Sequence, residues 1–223
     1  MCFCASASFG AAALLGGMGI WSLSVVRKKN WIPFAAIPVL FAIQQFIEGL
    51  LWLYLVNPNN VILRTLQKVY LFPHVHPDER SAFLFLIIAL VVWPTWIPFS
   101  IRAIEPYGQL RQGLTWLMRY GVLVSAYALY ILLWHGVSVM IAYKSIAYYT
   151  AVEPTLMHVF LYAGATVVPL LVSSMRTVRL FGLLLLTSCF FSYWYWLATF
   201  TSVWCFFAAL LSGLVIFIVK KNQ

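Results

Sequence analysis

WIPFAAIPVLFAIQQFIEGLLWLYLV, residues 31–56, contains a single charged side chain, Glu48. A helix crosses the roughly 30 Å hydrocarbon layer of a bilayer with about 20 mainly apolar residues, and this run is long enough. A carboxyl group inside such a run is costly unless it is paired or used. Gln44 and Glu48 are four apart and Gln45 and Glu48 three apart, so all three share one helix face. Gly49 beside them allows a neighbouring helix to come close. Pro33 falls in the first turn, where proline is tolerated, while Pro38 lies deeper and predicts a kink. Asn57-Pro58-Asn59-Asn60 closes the run as a turn.

The rest of the chain fits the same solvent. Of its 223 residues 64% are hydrophobic and only 9% charged, and the mean hydropathy is +0.93. Soluble domains carry about 25% charged residues, so this chain lacks the polar surface a soluble fold of its size needs. We therefore expect one polytopic membrane domain over residues 1–223, with the lipid bilayer as its first partner. The net charge of +9 invites a nucleic-acid reading. The basic residues stand singly or in small groups at the ends of apolar runs, however, where they mark orientation in a membrane, and nucleic acid is excluded as a partner. No charge precedes Arg27-Lys28-Lys29, the reverse of a cleavable signal peptide.

Charges and turn residues divide the chain into spans at about 6–26, 32–56, 81–101, 114–134, 156–175, 178–197 and 201–219. The predicted fold is an all-α, seven-transmembrane-helix bundle. Its last two spans follow from the 40 uncharged residues between Arg179 and Lys220. One helix of that length would be about 60 Å long, twice the hydrocarbon thickness. It must fold back, and residues 198–202 follow the aromatic belt Tyr193-Trp194-Tyr195-Trp196. Ser8, Ala12 and Gly16 recur at four-residue spacing in the first span, as do Ala13 and Gly17, predicting close helix packing. Val61 to Tyr70 reads as an interfacial helix with Arg64 and Lys68 on one side. Residues 137–155 read as a helical extension followed by a segment along the interface, anchored by Tyr143, Tyr148 and Tyr149. Pro94 and Pro98 predict a bent or broken end to the third span, and Glu105-Pro106-Tyr107-Gly108 a turn. With seven spans, ten of the 14 basic residues fall on one side, which puts the amino terminus out and the carboxyl terminus in.

That topology places all four histidines, all four cysteines and Glu48 in the outer half. Imidazole and thiolate are ligands of zinc and copper. His74, His76, His135, His158 and Cys2 are accordingly the candidate ligands of a transition metal. His74-x-His76 lies between Pro73 and Pro77, which favour extended backbone and would set both rings on one side. Neither this spacing nor Cys2-x-Cys4 is as specific as a paired CxxC or an HExxH helix. The plainer alternative is solvated loop histidines and histidines capping helix ends. Gln44, Gln45 and Glu48 are the candidate ligand-binding residues. Glu48 is either the acceptor of a proton, cation or polar ligand, or a hydrogen-bonded clasp between helices. Its candidate partners are Tyr127 and Tyr130, or Tyr193 and Tyr195. The remaining aromatics suit the membrane interface or an aromatic-lined pocket for an apolar ligand.

Met1-Cys2-Phe3-Cys4-Ala5-Ser6-Ala7-Ser8-Phe9, Gln44-Gln45-Phe46-Ile47-Glu48-Gly49 and Val92-Trp93-Pro94-Thr95-Trp96-Ile97-Pro98 together resemble an uncharacterised bacterial family of small multispan inner-membrane proteins. That family opens Met-Cys-Phe-Ser-Ala-x-Ala-Ser-Phe and carries Gln-Gln-x-x-Glu-Gly in its second span. The resemblance covers about the first half of the chain and implies a bacterial inner membrane, without an activity. Cys4 stands where the family has serine, so a two-cysteine site would not be a family trait.

Three functions are open to this sequence. The first is binding or transport of a small ligand or a transition metal through an outward-facing pocket centred on Glu48. The second is a structural or accessory subunit, joined to a membrane-protein partner or to a second copy of itself. The third is an intramembrane metal-dependent enzyme. It is weakened because seven-span zinc hydrolases carry helix histidines and an aspartate, whereas here Asp78 lies in a loop and no helix holds His-x-x-x-His. A retinal-type photoreceptor is disfavoured, since the last span has no lysine before Lys220.

Overall fold

The structure is a computed structural model that describes residues 4–59, 80–106, 108–150 and 155–222. Cys2, His74, His76 and the segment from Val61 to Tyr70 lie outside the described residues. The described chain is mostly helical. Six of its helical stretches are long and apolar enough to cross a membrane: Ala5–Ser24, Lys29–Val56, Arg80–Ile104, Gln109–His135, Arg176–Tyr195 and Leu197–Asn222.

Helix α1 (Ala5–Ser24) lies against α3 (Ile37–Val56). The face it buries is Ser8, Ala11, Leu15, Gly19 and Ser22, rotated from the expected stripe, and Ala13 and Gly17 point outward. Gly19 sets the approach, because a Cβ there would come within 2.8 Å of the Val39 backbone nitrogen. Gly49 does the same further along, where a Cβ would meet the Phe9 ring at 2.8 Å. Between helices in lipid, such close backbone contact supplies the packing that the hydrophobic effect supplies in water. The Pro38 kink is present as a break. A short α2 (Ile32–Ala35) ends at Ala36, and α3 restarts with Pro38 in its first turn.

The third stretch joins α4 (Arg80–Leu86), a π-helical turn (Ile87–Val92) and α5 (Trp93–Ile104). Its prolines do not end it, because neighbouring helices serve the carbonyls they free. Pro94 has no N–H for the carbonyl five residues back, Ala89, and that oxygen instead accepts a hydrogen bond from the Tyr162 hydroxyl. Pro98 has none for the carbonyl of Pro94, and that oxygen packs against Gly121. Ser125 donates to the Val91 carbonyl (2.6 Å) and Thr95 donates to Ser125 (2.8 Å). The wide turn is thus held from two sides, by α6 (Gln109–His135) and α7 (Leu156–Thr166).

One expectation is corrected here, and one span proves to be interrupted. The described residues 137–150 are not a helical extension. Gly136, at φ 68°, ends α6, and β1 (Ser138–Ala142) pairs antiparallel with β2 (Ser145–Tyr149). Tyr143 and Lys144 both have positive φ, as a two-residue type I′ turn requires. Ile146 and Tyr148 share one face of β2: Ile146 is buried, and Tyr148 stacks on Phe85 with ring centroids 4.9 Å apart. The fold is therefore mostly helical, with one hairpin among the described residues. The span expected at 156–175 is also interrupted. Helix α7 stops at Thr166, and α8 (Val168–Val172) restarts with Pro169 in its first turn.

The last apolar stretch folds back close to the expected place. Helix α9 (Arg176–Tyr195) leads through a 3-10 turn (Leu197–Thr199) to α10 (Phe200–Ser212) and α11 (Val215–Asn222). Several contacts gather at one end of the bundle. Asn30 donates to the Ala103 carbonyl (3.1 Å), Asn222 donates to Thr177 (2.8 Å), and the Lys220 ammonium sits 4.2 Å from the Trp21 ring centroid. The core divides accordingly. One apolar cluster around Phe34, Ile37, Ile101 and Leu170 lies toward this end, and another around Leu51, Phe85, Leu132 and Ile146 lies under the hairpin.

Candidate functional site

Glu48 is 2% exposed and faces α10. The Ser202 hydroxyl donates to its Oε1 at 2.5 Å, and Gln45 Nε2 donates to its Oε2 at 3.1 Å. None of the four tyrosines named from the sequence is its partner in these bonds. The expected shared face of Gln44, Gln45 and Glu48 is present, and all three are buried. Gln44 turns to α5, where Trp93 Nε1 donates to its Oε1 at 2.7 Å. Gln44 Nε2 is directed toward the Cys205 thiol without completing a hydrogen bond.

The hairpin closes this cluster from the other end. The Tyr148 ring is half-buried, its hydroxyl has no accessible surface and no hydrogen-bond partner, and it lies within electrostatic reach of Glu48 and Cys205. Gln45 Oε1 and Trp204 Nε1 are likewise buried without a partner. A cluster of this kind is buried, polar and only partly satisfied by protein groups. Each orphaned group costs about 1–3 kcal/mol, so it is an unusual thing for a fold to retain.

A cavity of about 370 Å³ lies on the far side of Tyr148 and Cys205. Helix α6 contributes Tyr120, Val124, Tyr127, Ala128 and Ile131, α7 contributes His158 and Tyr162, α10 contributes Thr201, Trp204 and Cys205, and the π turn contributes Ala89. Glu48 does not line it. Tyr162, Trp204 and Cys205 also line a second, apolar space of about 40 Å³ beside Phe41 and Trp93. Those three side chains therefore form the wall between the two. At the cavity mouth His158 is fixed in place. Its Nδ1 accepts the Thr155 N–H at 3.2 Å, completing a capping box at the start of α7, and its ring stacks on Tyr127.

The histidines and cysteines do not converge. His158 belongs to this mouth, while His135 packs edge-on against Tyr130 at the end of α6. Among the described residues no three His, Cys, Asp or Glu side chains gather where they could share an ion. Cys2, His74 and His76 are outside the described residues. Cys4 has its Sγ 3.1 Å from the Ser6 hydroxyl, and that contact, with the Ala7 and Ser6 N–H groups, holds its thiol below the usual range.

One buried carboxyl was missed in the sequence. Glu105, read as part of a turn, is 3% exposed. It accepts the Ser173 hydroxyl and the Ser174 N–H, both at 2.9 Å, and so ties the end of α5 to the end of α8. The signal was an acidic residue immediately after a long apolar helix, with Ser173-Ser174 after another. Glu105→Ala orphans both donors and is expected to cost about 2 kcal/mol, read as a fall in thermal stability in detergent. Glu105→Gln keeps one acceptor and should lose less. Equal stability of all three proteins would remove the clasp.

A family model described as a family of unknown function (DUF6629) matches residues 80–223. The match includes the cavity walls on α6, α7 and α10. It leaves outside it Met1 to Phe9 and Gln44 to Gly49, two of the three segments that suggested a bacterial family. Comparison with curated proteins and with solved structures gives no match.

Proposed function

The chain belongs to the DUF6629 family of unknown function, and from that premise we propose an integral membrane protein that binds a small apolar or amphipathic ligand in the cavity between α6 and α7. The observation that carries the reading is the cavity itself. Its volume of about 370 Å³ falls in the range of small-molecule sites, about 300–1,000 Å³, and mostly apolar walls with a few polar groups are what such sites have. Glu48 and Gln44 act from behind the wall, by holding Ser202 and Trp93 and by facing Tyr148 and Cys205.

The reading includes seven crossings of a bacterial inner membrane, amino terminus outside. Contacts at both ends of the α7–α8 pair support the seventh crossing. His158 meets Tyr127, whereas Ser173 and Ser174 meet Glu105 at the basic end. The 17 residues from Leu156 to Val172 reach about 25 Å as helix. The break at Val167 is buried, the condition under which interrupted helices occur in membranes. Arg27, Lys28, Lys29, Arg102, Arg176 and Lys220 belong to the end that would face the cytoplasm. In whole cells a membrane-impermeant maleimide is expected to label Cys4 from outside; labelling only after lysis would reverse the orientation.

Extraction into native lipid discs, followed by mass analysis of the bound small molecules, tests the binding. A compound retained by the native protein is expected to be lost from Ala128→Trp, which fills the cavity. Retention by both proteins would exclude the cavity. A structural or accessory role is the second reading, favoured because both oxygens of Glu48 are already engaged.

A further inference from the structure

Resting on that reading, we infer that the cavity takes an uncharged amphiphile: an apolar chain ending in a hydroxyl, carbonyl or ester head, and not a lipid with an anionic head. The apolar part follows from the walls. Leu86, Leu90, Val124, Ile131, Leu132 and Phe200 enclose the body of the space. An apolar cavity of about 150 Å³ is enough to hold benzene, so about 370 Å³ accepts a chain or ring system more than twice that size.

The head follows from what the polar lining does and does not contain. Among the described residues the lining has no lysine, arginine, aspartate or glutamate. Its polar side chains are four tyrosines, Thr150, Thr201, His158, Trp204 and Cys205. Hydroxyls and an imidazole can bond a neutral oxygen. Without lysine or arginine the described lining has no permanent cation to pair with a phosphate, sulfate or carboxylate, and a buried unpaired charge is strongly penalised. Membrane phospholipids of either charge type carry a phosphate, so the same argument sets the ligand apart from the surrounding bilayer.

The site faces the lipid from which such a molecule would enter. Leu123 and Tyr127 line the cavity and are also exposed on the outer surface of α6. A chain can therefore pass between α6 and α7 from the side, with its head near His158 at the end of the bundle.

The experiment is photolabelling of the whole protein in lipid discs with two diazirine probes of equal chain length, an alkan-1-ol and the alkyl sulfonate, the second charged at every pH. Labelled peptides are mapped by mass spectrometry. The alcohol is expected to label residues of α6 and α7 that line the cavity about tenfold more than the sulfonate does, and unlabelled dodecan-1-ol is expected to compete. Equal or greater labelling of those residues by the sulfonate would overturn the neutral-head assignment and leave the cavity reading standing. Labelling that neither dodecan-1-ol nor Ala128→Trp reduces would overturn both. Because the competition arm uses the native protein, it decides the matter even if the tryptophan variant does not fold.

Discussion

Glu48→Ala is expected to lower the unfolding free energy by about 3 kcal/mol, measured by reversible denaturation in mixed micelles. The change removes the acceptor of the Ser202 hydroxyl and of Gln45 Nε2, each worth about 1–3 kcal/mol when orphaned, and leaves a small void. Glu48→Gln should lose under about 1 kcal/mol. Its new amide can donate, and Gln45 can turn to offer Oε1, which now has no partner. Ser202→Ala combined with Glu48→Ala should be clearly non-additive, with a coupling of about 1 kcal/mol or more. Simple additivity would show that the bond across α3 and α10 contributes nothing. A glutamine variant as unstable as the alanine one would show that the carboxyl group itself, rather than its shape and hydrogen bonds, is needed.

Gly121→Ala has the other large effect, about 3 kcal/mol of destabilisation, because overpacking against fixed atoms forces helices apart. A Cβ at this position would overlap the Pro94 carbonyl oxygen. That oxygen is part of the backbone and cannot move alone. It lacks an N–H partner because Pro98 follows four residues later, so Gly121 fills the place with a close Cα–H contact. Moving α6 outward would also stretch the bonds from Ser125 to Val91 and from Thr95 to Ser125. Gly113 on the same helix is the control, since a Cβ there meets nothing within 4 Å. Gly113→Ala should be neutral or stabilising by up to about 1 kcal/mol, the helix propensity difference. Two variants of equal stability would refute the close approach at Pro94.

Long apolar runs were readable because length and charge settle them without reference to neighbours. The pairing of Gln45 with Glu48 was readable for the same reason, being three residues apart on one helix. Partners across helices were not. Ser202 lies 154 residues from Glu48, and a serine in an apolar run gives no sign of which acceptor it meets. The hairpin at 138–149 was hidden because Tyr143-Lys144 replaces the Asn-Gly that usually announces a type I′ turn. Its two strands, Ser-Val-Met-Ile-Ala and Ser-Ile-Ala-Tyr-Tyr, are also apolar enough to pass for helix. The prolines misled in the opposite direction. Pro94 and Pro98 suggested a bent or broken end, but Tyr162 and Gly121, both distant in sequence, accommodate the carbonyls they leave. Which glycine or serine matters is a property of the neighbouring helix.

The π turn at Ile87–Val92 also sets an angular index. An α-helix advances about 100° per residue, and a widened turn takes up one extra residue without that rotation, so the sequence register beyond it shifts by one while the helix keeps its facing. Phe83, Phe85 and Leu86 before the turn enter the cluster beneath the hairpin, while Trp93, Ile97 and Ile101 after it enter the other cluster. A single-residue deletion inside the turn would hardly shorten the stretch. It would let the wide turn close to an ordinary α-turn, with Trp93 still on Gln44 and Phe85 still on Tyr148.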